Sequence, residues 1–270
     1  MSNPVVETVF VGPSPRIALD VAGDGDLVVF LHGIGGNRAN WRDTLPAVAA
    51  RWRAAAWDAR GYGDSEDYDG PLDFHAFADD LARVLDHFGA DRAHIVGLSM
   101  GGRIAADFHG RHPGRVRSLT LCDTHLGFAH MTPAARADFV RLRREPLLAG
   151  KEPRDIAPAV ADSLIGDRAN ADAYAQLMAS LSKLHKESYL KTIEASVGMD
   201  HADLYAGVDK PTLVIVGALD RLTPPAMARE IVDRIPGARL CVIEGAGHLS
   251  NIEQPEAFNR ALLDFLAAVH

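Results

Sequence analysis

Only two cysteines occur in 270 residues, Cys122 and Cys241, each inside an apolar strand-like run (LTLCD and RLCVIE). They read as buried free thiols and not as a disulfide framework, which makes the cytoplasm the expected compartment. Positive charge is in deficit: 28 Lys and Arg against 36 Asp and Glu leave a formal charge of −8. That balance speaks against a nucleic-acid partner or an anionic membrane surface. No apolar run reaches the roughly 18 residues that cross a bilayer. The opening MSNPVVETVF has no basic stretch ahead of an apolar core, so no signal peptide is expected. Repeats and low-complexity segments are absent. No Walker lysine or acidic ribose partner accompanies the glycine-rich turns, and His109 and His112, three apart, lack further metal-ligand partners. No metal and no organic cofactor is implied.

What is present is an alternation of short β-rich runs with helix-period stretches, the sign of a mostly parallel sheet with crossover helices. VETVFVG (5–11) and RIALDVAG (16–23) suit an opening hairpin. Buried strands are expected at LVVFLHG (27–33), RAAAWDAR (53–60), AHIVGLS (93–99), VRSLTLCD (116–123), PTLVIVGALD (211–220) and ARLCVIEG (238–245). Helices are expected over 39–50, 73–88, 100–112, 225–235 and 256–269. In the second, Leu72, Phe74, Phe77, Leu81, Leu85 and Phe88 share one face. Residues 124–200 break the rhythm: they are helical throughout and punctuated by Pro133, Pro146, Pro153 and Pro158. The expected organisation is therefore a core of residues 1–123 and 201–270, with 124–200 inserted as a helical cap over the strand ends.

The chemistry gathers at three places. In HIVGLSMGGR (94–103), Ser99 ends a strand and opens a helix, the setting that a Gly-x-Ser-x-Gly turn requires. A serine held there sits on a strained corner, so Gly97 and Gly101 must be small where strand and helix backbones meet. Helix N–H groups behind it favour developing negative charge. A serine hydroxyl needs a base, and His248 in GAGHLSNIEQP, just after a strand, is the best placed of twelve histidines. Asp220, ending LVIVGALD, is the favoured acid; Asp123, ending LTLCD, is its rival. LHGIGG (31–36) offers the Ile34 N–H, which with the Met100 N–H would face an oxyanion. DARGYGDS (58–65) reads as a structural turn, and RLRR (141–144) as a solvated helix face, because 124–200 holds ten Lys/Arg against ten Asp/Glu.

Together, HGIGG, DARGYGDS, GLSMGG, VGALDRLTP and GAGHLSNIEQPEAF resemble the α/β-hydrolase superfamily across the chain apart from the variable cap. The resemblance implies an α/β-hydrolase fold, an eight-stranded, mostly parallel sheet flanked by helices with a helical cap after the sixth strand. It also implies Ser99, Asp220 and His248 as a catalytic triad, in that chain order, with Ile34 and Met100 as the oxyanion hole. Haloalkane dehalogenases and epoxide hydrolases carry aspartate where Ser99 stands. Meta-cleavage-product hydrolases usually have tryptophan after the histidine, where this chain has Leu249. GLSMGG, CDT and HLSNIEQPEAF look most like 3-oxoadipate enol-lactonases of aromatic catabolism, although LHGIGG departs from the Ser-Asn-Ser-Leu-Gly type of loop found in them. Arg103 is similar to the arginine of menaquinone-pathway synthases that eliminate pyruvate, and otherwise reads as a helix-surface charge.

The expected function is hydrolysis of a carboxylic ester or lactone of a small organic molecule through an acyl-enzyme, with 3-oxoadipate enol-lactone as one candidate. Two alternatives stand beside it. One uses the same triad as a base for C–C cleavage or pyruvate elimination; the other is a ligand receptor on a hydrolase fold. Arg103, Gly127, Phe128, Met131, Leu177 and Met178 are candidate substrate contacts. Monomer and homo-oligomer both fit the sequence.

Overall fold

Runs of Val, Leu, Ile and Ala, bounded by Gly, Asp and Pro, form eight strands in a computed structural model. It describes residues 4–269 and their side chains, except the side chain of His130. The strands are β1 (Glu7–Val11), β2 (Ile17–Ala22), β3 (Leu27–Leu31), β4 (Arg53–Trp57), β5 (Ala93–Leu98), β6 (Val116–Cys122), β7 (Thr212–Gly217) and β8 (Arg239–Ile243). They make one sheet in the order β1-β2-β4-β3-β5-β6-β7-β8. β2 runs antiparallel to both β1 and β4, and every later pairing is parallel. β3, β5 and β7 are buried along their whole length, as strands covered on both faces must be.

The flanking helices are α1 (Leu45–Ala49), α2 (Ala76–His87), α3 (Met100–Arg111), α10 (Pro225–Arg234), α11 (Ser250–Glu253) and α12 (Pro255–Ala268). Between β6 and β7 the chain makes α4 (Pro133–Arg143), α5 (Glu145–Leu148), α6 (Pro153–Leu164), α7 (Ala171–Ser182), α8 (Lys186–Gly198) and α9 (Ala202–Ala206). Only an isolated bridge, Gly127 to Asp200, interrupts that helical stretch with β-type pairing among the described residues. α2 and α3 pack together on one face of the sheet, while α1 and α12 cover the other.

Several expectations need correction. The helix expected over 39–50 divides into a 3-10 turn at Arg38–Trp41 and α1. Asn37 caps the turn by accepting the Ala39 N–H at 3.0 Å, and Pro46 starts the next helix afresh. The helix expected over 73–88 begins only at Ala76. β8 is not a buried strand: it lies at the sheet edge, with Leu240, Cys241 and Val242 half-buried. Cys241 is therefore a half-buried thiol, whereas Cys122, on interior β6, is buried. His109, which lacks metal-ligand partners in the sequence, is buried on α3 where α9 packs, and its Nε2 lies 3.0 Å from Asp209 Oδ1.

The DARGYGDS turn (58–65) is held from within. Buried Asp58 accepts the backbone N–H groups of Arg38 and Asp64 at 2.7 and 2.8 Å and pairs with the Arg38 guanidinium. Its Arg60 pairs with buried Asp80 at 2.6 Å. None of its residues faces the cavity described next.

Candidate active site

Parallel pairing carries β5 straight into a corner. The Ser99 N–H still bonds the Cys122 carbonyl at 2.8 Å, after which Ser99 adopts φ 53°, ψ −112° and α3 begins at Met100. An L-residue with positive φ is strained, and the closeness of the flanking backbones explains why the corner tolerates no larger neighbours. A Cβ on Gly97 would lie 2.2 Å from the Gly101 carbonyl oxygen, and one on Gly101 would lie 2.2 Å from that of Leu31. Ser99 is thus presented at the C-terminal end of the parallel strands, where ligands bind in open α/β sheets.

His248 comes to it from the loop after β8. Its backbone N–H bonds the Leu164 carbonyl at 2.9 Å. Its ring lies between Ser99 and Asp220, with Nε2 to Ser99 Oγ at 2.9 Å and Nδ1 to Asp220 Oδ2 at 2.9 Å. A proton on Nδ1 satisfies the carboxylate and leaves Nε2 to accept from the serine hydroxyl. Asp220 is held in turn by the N–H groups of Leu222 and Thr223 at 2.8 and 2.9 Å and by the Thr223 hydroxyl at 2.6 Å. Burial works against its ionised form, yet His248 and these donors keep the carboxyl below its ordinary value. Burial likewise opposes charge on His248, but the Asp220 carboxylate outweighs it and raises the imidazole above 6.5.

The rival acid, Asp123, is buried and, among the described residues, has the other positive φ of a non-glycine residue, 45°. It accepts from the Gly217 N–H at 2.8 Å, the Ser250 N–H at 3.1 Å and the Ser250 hydroxyl at 2.6 Å. Its oxygens are spent on the loops that carry Asp220 and His248. Burial, together with the negative charge of Asp220, pushes its carboxyl well up. A second brace escaped the sequence reading. Glu253, buried in α11, accepts the Gly247 N–H at 2.9 Å with one oxygen and the Gly166 N–H at 2.8 Å with the other. It ties the histidine loop to the end of α6. A carboxylate five residues after His248 in GAGHLSNIEQP is the available signal.

Ser99 and His248 open on a cavity walled largely by apolar side chains, among them Leu98, Leu164, Leu222 and Leu249, as small-molecule sites are. Ile34 and Met100 line it beside Gly33 and Ser99, so both candidate oxyanion donors border the nucleophile. Of the other candidate contacts, Arg103, Phe128, Met131 and Leu177 line it; Gly127 and Met178 do not. Gly127 instead supports the bridge to Asp200, and Met178 packs against the core.

Arg103 is no surface charge: it is 1% exposed, between the rings of Phe74 and Phe128 at 5.1 and 5.2 Å. It donates to the carbonyls of Ser196 and Met199 at 2.9 and 3.1 Å, where α8 ends, and its Nε donates to His201 Nδ1 at 3.3 Å. Burial lowers it to about 10, with Tyr205 and Asp200 acting in the opposite sense. The RLRR reading also fails at one position: Arg143 is 3% exposed and lines the cavity.

Among the described residues no group of three or more His, Cys, Asp or Glu is placed to hold a metal, and no helix is long and apolar enough to cross a membrane. The sequence pattern of the α/β hydrolase fold family matches residues 26–255. A pimeloyl-[acyl-carrier protein] methyl ester esterase of Neisseria meningitidis is 32% identical over 259 residues, covering 90% of this chain and 77% of its own. The crystal structure of a hydrolase from Pseudomonas aeruginosa superposes with a TM-score of 0.86 at 29% identity, covering 97% of this chain and 98% of that one. The enol-lactonase of Burkholderia xenovorans gives 0.81 at 27% identity, covering 93% and 96%.

Proposed function

The chain belongs to the α/β-hydrolase family, and from that premise we propose that it is a serine hydrolase cleaving a carboxylic ester or lactone of a small molecule. The observation that carries this reading is the unbroken line Asp220–His248–Ser99, with both links at 2.9 Å. Ser99 Oγ attacks the carbonyl carbon as its proton passes to His248 Nε2. The negative charge that develops on the carbonyl oxygen is met by the N–H groups of Ile34 and Met100. Collapse of the tetrahedral adduct expels the alkoxide or enolate, which takes the proton from the imidazolium to leave as alcohol or enol, and an acyl-Ser99 remains. A water that loses its proton to His248 Nε2 then attacks the acyl carbon, and the second collapse frees the acid and returns the proton to Ser99. Asp220 keeps the imidazole in its Nδ1–H form and stabilises the imidazolium, without taking the proton itself. In a lactone the leaving oxygen stays tethered until the second step. Residues 124–200 serve as the lid over this chemistry, and 1–123 with 201–270 as the core; the cytoplasm is the working compartment.

Fluorophosphonate labelling of Ser99, coupled to turnover of p-nitrophenyl acetate and 3-oxoadipate enol-lactone, tests the reading. Labelling with sustained multiple turnover, both abolished in Ser99→Ala, is the expected result. Release of one equivalent and then a stall points to a receptor. Inertness toward every ester and lactone, with C–C cleavage or pyruvate elimination in their place, overturns ester chemistry.

A further inference from the structure

The helical segment places a cation in the cavity that the protein itself does not neutralise. Arg143 is the last residue of α4 and is only 3% exposed. It lines the same cavity as Ser99 and His248. Its guanidinium lies over the Phe139 ring, 4.3 Å from the centroid, and its one hydrogen bond among the described residues runs from Nη2 to Ser163 Oγ at 3.3 Å. No carboxylate stands within ion-pair distance of it among those residues. A guanidinium carries five N–H donors, and a buried charge without a partner is expensive to keep. Arg103, in the same cavity, shows the contrast: its donors are occupied by the carbonyls at the end of α8 and by His201.

The groups that act on Arg143 do not cancel its charge. Tyr189 acts on it, but among the described residues its buried hydroxyl has no hydrogen-bond partner, and its phenol, pushed up to about 12 by burial, stays neutral. In the other direction the field of Arg143 reaches His248 and lowers its basicity. The unspent cation thus shares one cavity with Ser99 and His248. Phe139, Leu177 and Leu181 make the surrounding wall apolar. In such surroundings a planar monoanion matches a guanidinium in both charge and fork geometry.

Building on the ester-hydrolase reading above, we propose that Arg143 is a specificity residue that binds a free carboxylate, so that the substrate is an anionic ester or lactone, such as the half-ester of a dicarboxylic acid. The carboxylate accepts two N–H bonds from the guanidinium while the ester carbonyl lies against Ser99. Water fills the same donors when a neutral ester binds, and that ester gains nothing from them.

The test compares the monomethyl and dimethyl esters of succinate, glutarate and adipate as substrates of the wild type, Arg143→Gln and Arg143→Lys. The ratio of kcat/KM, monoester over diester, is expected to fall about 10- to 100-fold in Arg143→Gln, chiefly through the KM of the monoester. Arg143→Lys keeps the charge without the fork and should fall between. A ratio that moves less than twofold in every pair overturns the proposal. Should Arg143→Gln melt below the assay temperature, the Arg143→Lys ratio decides in its place. Binding without turnover separates this inference from the one beneath it. In Ser99→Ala protein, calorimetry should detect the monomethyl esters, and adding Arg143→Gln should weaken them by the same factor. Binding through Arg143 in an enzyme that hydrolyses neither ester refutes ester chemistry alone. Diester hydrolysis with neither monoester preference nor monoester binding refutes the carboxylate site alone.

Discussion

The ends of the parallel strands and the helices between β6 and β7 meet at one cavity, yet they are constrained in different ways. At the strand ends, backbone sits on backbone: Ser99 is strained, Gly97 and Gly101 have no room for a Cβ, and Asp220 is fixed by three donors from its own turn. Position there dictates residue type. In the helical segment, side chains and not the backbone make the wall: Phe128 and Met131 reach in from around the short turn before α4, Phe139 and Arg143 from α4, and Leu177 from α7. Many apolar side chains of similar volume would close the same surface. On the proposed mechanism, chemistry therefore belongs to the strand ends and selectivity to the helices, and each side of that division can be attacked.

The strongest attack exchanges the two buried acids. Asp220→Asn should cost about 10⁴ in turnover, because the amide offers its NH₂ to Nδ1 and favours the wrong imidazole tautomer. Asp123→Asn should cost far less, because Asp123 holds the loops of Gly217 and Ser250 and not the ring. The pH profile gives an independent sign. His248 acts when neutral, and Asp220 raises it above 6.5 despite its burial, so the acid limb of kcat/KM lies above the ordinary imidazole value. Removing that carboxylate must shift the limb, or the imidazole titration followed by NMR, to lower pH. An Asp123→Asn loss as large as that of Asp220→Asn would show that the chain uses the other acid.

The next attack falls on the seam. Glu253 joins Gly247, beside His248, to Gly166 at the end of α6, and the His248 N–H bonds Leu164 directly. Glu253→Gln puts an NH₂ group opposite backbone donors, leaving at least one buried N–H unpaired at about 1–3 kcal/mol. A lower Tm and a roughly tenfold lower kcat, with KM little changed, would mark it as a positioning residue. Loss of Tm with kcat intact would make it a structural tie only.

The same division decides how much the sequence could tell. All eight strands fall inside their expected ranges, because apolar runs stop where glycine and aspartate turn the chain. Ser99, Asp220 and His248 were legible from strand-end position and chain order, since in that region the backbone leaves few alternatives. The helical segment gave up less. RLRR averages to a solvated face, yet Phe139, Arg143 and Leu147 stand four apart and are all buried, a helical period that picks out Arg143. Met178 failed for the converse reason: it lies one residue past Leu177, about 100° around the helix, and so faces the core packing instead of the cavity. Arg103 looked exposed because nothing local in sequence shows that α8 will end against it.

The smallest effect is also the most direct probe of the helical wall. Leu177 is 3% exposed and faces the cavity from α7. Truncating it enlarges a space that is already open, so Leu177→Ala should lose less stability than the roughly 2–5 kcal/mol typical of a sealed core site. Its catalytic effect should appear as selectivity: a bulkier acyl ester gains over acetate by up to about tenfold in relative kcat/KM, since pocket methylenes discriminate weakly. A panel of p-nitrophenyl esters from acetate to octanoate reads this ratio. If every ester slowed equally, Leu177 would be holding Ser99 or His248 in place, and the division between chemistry at the strand ends and selectivity in the helices would fail at that residue.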